Sequence, residues 1–113
     1  MSMTNSLNVK GLALKQKILQ SPMAGCTDLA FRRIARKFGC ELAFTEMVKD
    51  RPVIDRNERT RLMLATESSD HPLGMQLIGR EPKLLAEAAK CLEGLGADVV
   101  DLILSFCSRN ESD

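Results

Sequence analysis

Two places in the sequence carry residue types suited to holding a ligand. The stretch SPMAGCTD, residues 21 to 28, sets a proline of fixed φ beside residues with little or no side chain, so a flat ligand could approach the backbone closely and hydrogen-bond with it. Gln76 lies inside the apolar run LGMQLIG, residues 73 to 79, where an unpaired primary amide would cost about 1–3 kcal/mol. It needs a partner, and its amide can both donate and accept.

Other chemistry-bearing residues are less committed. Glu46 is either a site carboxylate or a capping residue. His71 precedes Pro72 in the turn cluster SSDHP and reads as an exposed turn residue. Cys26, Cys40, Cys91 and Cys107 are far apart with no C-x-x-C pair, which supports neither a zinc site nor a disulfide framework. Met23, Met47, Met63 and Met75 read as gap-filling core. Arg32, Arg33, Arg36 and Lys37 share one side of a helical stretch and read as a solvated face, with phosphate contact as the alternative.

These residues need elements to place them. A strand is expected at 17–20, running into the 21–28 loop, followed by a helix in which Phe31, Ile34, Ala35 and Phe38 recur at helical spacing. Thr27 or Asp28 can cap that helix, and Gly39 can end it. A second strand is expected over 41–47, then a polar loop containing Pro52 and a helix near 54–65. The run 73–79 is a buried strand, and the helix after it has Pro82 in its first turn and Gly94 and Gly96 at its end, with Leu84, Leu85, Ala88, Cys91, Leu92 and Leu95 inward. A fourth strand covers 97–104. The order βαβαβαβ requires a parallel sheet covered by helices, doubly wound or closed into a barrel.

The chain has 113 residues, 44% of them hydrophobic and 27% charged, with a net charge of +1. That describes one globular domain without a bulk-charge argument for a polyanionic partner. Lysines interrupt the apolar pieces of the N-terminus, which excludes a signal peptide or membrane span there and implies a cytoplasmic protein.

The segments PMAGCTDLAFRRIARKFG, TEM, QLIG and LGADVVDL, in that order, resemble the start of the tRNA-dihydrouridine synthases. The resemblance covers roughly residues 17 to 102 and implies a flavin-binding (β/α)₈ TIM barrel, of which this chain holds about the first four strands and three helices. It also implies FMN as cofactor, NADPH as reductant, and tRNA uridine as the group reduced to 5,6-dihydrouridine. The 21–28 loop would then lie at the C-terminal ends of the strands, where such barrels keep their sites. By resemblance Pro22, Met23 and Ala24 line the isoalloxazine, and Gln76 meets its pyrimidine edge.

The family continues its fourth strand as D-x-N-x-G-C-P, whose cysteine is the proton donor. Here the stretch is DLILSFC. Ungapped, Phe106 takes the cysteine's place; with one inserted residue, Cys107 does. The expected division is an N-terminal extension over 1–16, the first half of a barrel domain over 17–104, and a divergent polar tail over 105–113. The loss of likeness after Leu102 is what a truncated reading frame would yield, and half a barrel would be inactive and would self-associate through its sheet edges. Two rivals remain: a flavin-dependent barrel reductase of free pyrimidines, and a non-catalytic α/β binding module.

Overall fold

The computed structural model describes residues 7–9, 11–15 and 19–105. Cys107 and half of the expected 17–20 strand lie outside the described residues. In chain order the elements are β1 (Leu7–Val9), β2 (Leu12–Leu14), α1 (Leu29–Lys37), β3 (Ala43–Phe44), β4 (Val48–Lys49), α2 (Asp50–Ile54), α3 (Glu58–Met63), β5 (Leu73–Gly79), α4 (Pro82–Gly94) and β6 (Val99–Leu104).

β5 is the hub: apart from Gln76 it is apolar, as suits a central parallel strand. Its first residues pair with β3 and its later ones with β4, so β3 and β4 are two halves of one strand interrupted at residues 45–47. β6 pairs in parallel along the other side, from Gly74↔Val99 to Gly79↔Leu104. Gln20 bridges Ala43 in parallel, which places the end of the expected first strand beside β3. The strands thus neighbour one another in chain order. A doubly wound sheet would reverse that order at a switch point, so the arrangement is the one a barrel uses. Among the described residues the sheet is open.

Side chains alternate along β5. Leu73, Met75 and Leu77 are fully buried and pack with Val48, Val53, Leu64 and with Leu85, Ala88 and Leu92 of α4. Proline in the first turn of α4 and Gly96 at φ 112° just beyond its end fix the limits of that helix. Gly74, Gln76 and Ile78 occupy the opposite face.

Several expectations are corrected. The helix expected over 54–65 is two short ones: Arg56 stands at φ 56°, and Asn57 begins α3 by accepting from the Thr60 amide at 3.1 Å. Pro52 is not in a loop but in the first turn of α2, where a missing N–H costs nothing. The segment expected to be an N-terminal extension carries β1 and β2 as an antiparallel hairpin with Gly11 at φ 85°, which adds to that expectation without overturning it. Leu95 is exposed, as are Met23 and Met47, so gap filling describes only Met63 and Met75.

The largest correction concerns α1. Asp28 caps it as expected, accepting from the Phe31 amide at 2.9 Å. Yet Ile34 and Phe38 are 58% and 87% exposed while Arg32 is wholly buried. Arg32 and Arg36 turn inward because Asp70 pairs with both, whereas Arg33 and Lys37 stay exposed as expected. A 3.6-residue period reveals two faces but not which is inward.

Candidate ligand-binding site

The 21–28 loop leaves the sheet at the C-terminal side of the Gln20–Ala43 bridge. Its backbone is folded on itself: the Met23 carbonyl accepts from the Cys26 amide at 3.0 Å and the Thr27 amide at 3.1 Å. The buried Thr27 hydroxyl donates to the same carbonyl and accepts from the Met23 amide, both at 3.2 Å. Gly25 has φ 74°, a conformation that glycine enters without a Cβ penalty. Its amide donates to Glu46 Oε1 at 2.7 Å. Arg32 Nη1 donates to the Thr27 carbonyl at 2.7 Å. Pro22 is half-buried, Met23 and Ala24 are exposed, and the Ala24 peptide groups enter no hydrogen bond among the described residues. The loop is therefore closed internally and open outward.

Gln76 and Asp101 are register partners on β5 and β6, and Gln76 Nε2 donates to Asp101 Oδ2 at 2.9 Å. An ionised carboxylate only accepts, so it turns the amide nitrogen toward itself and leaves the oxygen for a donor elsewhere. On the same face the Phe44 ring covers Gly74 so closely that a Cβ there would clash with Phe44 Cε2. The strand formed by β3 and β4 separates Gln76 from the 21–28 loop, a distance of about 10 Å in the pairing direction. No hydrogen bond joins the two among the described residues. A ligand using both would have to span that width. An open cavity of ≈ 340 Å³ at the ends of β4 and β5 is lined by Lys49, Asp50, Gly79 and Arg80, and includes none of the expected site residues.

Sequence reasoning did not anticipate Asp101 as a partner, nor the Glu46 contact to Gly25. It also missed Gln20, whose Nε2 donates to the Ser21 carbonyl while its buried Oε1 has no partner. Only register and strand adjacency reveal these. His71 is half-exposed as expected, and its Nδ1 lies 2.7 Å from Asp98 Oδ2. Among the described residues no group of three or more His, Cys, Asp or Glu is placed to hold a metal, and Cys26, Cys40 and Cys91 are free thiols.

Behind the loop sits a buried ion cluster. Asp70 accepts from Arg32 Nη2 at 2.7 Å, Arg36 Nε at 3.0 Å and Thr66 Oγ1 at 2.8 Å. Burial opposes its ionisation, but the hydrogen bonds from Arg32 and Thr66 and the Arg32 charge outweigh it, so its pKa is lowered. Arg36 also donates to the Glu41 carbonyl, and to the Pro72 carbonyl at 2.8 Å. On the surface, Arg33 pairs with Glu67 at 2.6 Å, and that hydrogen bond brings the glutamate pKa down to about 2.

Parallel strands paired in chain order, with helices on the sheet and an outward-open loop after the Gln20–Ala43 bridge, are the arrangement that opens a (β/α)₈ barrel. Comparison with known proteins then narrows the class. The family model described as Dihydrouridine synthase (Dus) matches residues 19–104. A "Probable tRNA-dihydrouridine synthase" of Rickettsia conorii is 38% identical over 97 residues, covering 85% of this chain and 29% of that protein. The "tRNA-dihydrouridine synthase B" of Pseudomonas aeruginosa is 35% identical over 89 residues, covering 79% of this chain and 27% of that protein. The chain belongs to the dihydrouridine synthase family. It spans about 27–30% of the length of the curated relatives it matches.

Proposed function

We propose that this chain supplies the first wall of the FMN site of an NADPH-linked enzyme that reduces uridine to 5,6-dihydrouridine in cytoplasmic tRNA. The observation that carries the reading is the pairing of an outward-open 21–28 loop with an amide whose orientation is already set by Asp101. Pro22, Met23 and Ala24 would lie along the isoalloxazine, where the unspent Ala24 peptide groups and the small side chain admit a flat ring. The Gln76 oxygen would accept from a ring N–H. When bound, the flavin supplies the hydride; these residues hold and orient the ring. No helix of the described residues is long and apolar enough to cross a membrane.

Taken alone, the chain binds FMN weakly and forms no dihydrouridine, since two or three hydrogen bonds of about 0.5–1.5 kcal/mol each do not hold a flavin tightly. It also self-associates, because among the described residues β6 pairs only with β5 and carries Leu102 and Leu104 more than half exposed. Titration of FMN fluorescence tests the site: weak saturable quenching that Gln76→Leu diminishes supports it, and a submicromolar dissociation constant or indifference to Gln76→Leu contradicts it. Dihydrouridine formed on unmodified tRNA by the purified chain with NADPH would overturn the expected inactivity. Light scattering that showed a monomer at micromolar concentration would end the self-association reading.

A further inference from the structure

We propose that Glu46 and Arg32 are positioning residues that hold the 21–28 loop in its ligand-ready shape from two sides. The use of that shape rests on the flavin reading above; the holding does not. Strand pairing is interrupted at residues 45–47, where Thr45 is buried and its amide still donates to the Gly74 carbonyl at 2.9 Å. The interruption frees the next side chain from the pleat, and Glu46 reaches across to the Gly25 amide at 2.7 Å. Nothing lies within 4 Å of the place a Gly25 Cβ would occupy, so its φ of 74° rather than crowding calls for glycine, and Glu46 holds that conformation.

Arg32 acts from the helix side. Its buried guanidinium divides its donors among three acceptors: Asp70, the Ala65 carbonyl at 2.8 Å and the Thr27 carbonyl at 2.7 Å. Thr27 passes the constraint to Met23 through its hydroxyl. The fixed points are thus Met23, Gly25 and Thr27, and exposed Ala24 lies between them. A loop set in advance spares a ligand the entropy of ordering it. Lysine could keep the charge pairing with Asp70 but has no planar fork to reach all three acceptors.

Amide hydrogen exchange on the ligand-free chain, read residue by residue by NMR, tests this. Glu46→Leu should speed exchange at Gly25, and Arg32→Lys at Cys26 and Thr27, each roughly 10- to 100-fold, the effect of losing one charge-assisted hydrogen bond. Met75 and Leu77 in β5 should exchange as before. Glu46→Gln, which keeps an acceptor oxygen, should restore slow exchange at Gly25. Unchanged loop exchange in Glu46→Leu and Arg32→Lys overturns the proposal. If Arg32→Lys loosens β5 as well, the Glu46 pair decides: equal Gly25 exchange in Leu and Gln variants also overturns it. FMN titration of the same proteins separates the two readings. Faster loop exchange in the variants, with no FMN bound by the parent, sinks the flavin reading alone, whereas FMN binding by the parent with loop exchange unaltered in the variants sinks the positioning.

Discussion

The β5–α4 unit and the α1 unit solve the same problem, fastening a helix to a parallel sheet, by opposite means. α4 is held by apolar packing: Leu85, Ala88 and Leu92 join Met75 and Leu77 in one buried cluster. α1 is held by a buried carboxylate that two arginines share, while Ile34 and Phe38 face out. Apolar packing is tolerant of detail and contributes in proportion to area. The ion cluster fixes geometry through directed bonds and tolerates no missing member. The tolerant fastening lies behind β5, and the exacting one behind the 21–28 loop.

That contrast breaks most sharply at Asp70. Asp70→Ala strands two guanidinium groups, one fully buried, and should lower stability by about 3–5 kcal/mol in urea denaturation; a loss under 1 kcal/mol would mean that water replaces the carboxylate. Leu77→Ala should cost somewhat less, about 3 kcal/mol, from lost transfer energy and the cavity left in a core that cannot fully collapse. A smaller value than for an exposed leucine would show the α4 interface to be loose.

The two fastenings should also differ in pH response. The folded-state pKa of Asp70 lies below its ordinary value of 3.8, so the unfolded chain takes up the proton first. The stabilisation is complete above that value and is lost as pH falls through the lower folded-state value. Melting temperature should therefore fall on acidification from about pH 5, with Asp70→Asn flattening the profile and Leu77→Ala leaving its shape intact. A parallel profile for Asp70→Asn would remove the ion cluster from the account. The smallest effect belongs to Phe38→Ser, within about 0.5 kcal/mol because the ring is 87% exposed, with reduced self-association as its visible consequence.

The sequence foretold the β5–α4 unit nearly residue for residue because both signals are local: an apolar run between turns, and a helix punctuated by Pro82 and Gly96. It misplaced the face of α1 because the deciding partner, Asp70, lies 38 positions from Arg32 and sits in what reads as an ordinary polar turn. The candidate site divides the same way. Gln76's need for a partner follows from its apolar surroundings, but Asp101 becomes that partner only through strand register. Glu46 could not be assigned because its bond to Gly25 crosses 21 positions through a break in the strand that no residue type announces.

Pairing of strands in chain order bears on synthesis as well as shape. Gln20 meets Ala43, Ala43 meets Leu73 and Gly74 meets Val99, so each new strand docks on one already made. Separations of this size close smaller loops than pairing with a distant segment would. On the ribosome the sheet can grow outward one strand at a time, without waiting for a distant segment to arrive. The hypothesis is open to a direct trial: nascent chains arrested once β5 and α4 have left the exit tunnel should resist protease across residues 43–79, and cleavage there as fast as in urea would refute stepwise growth.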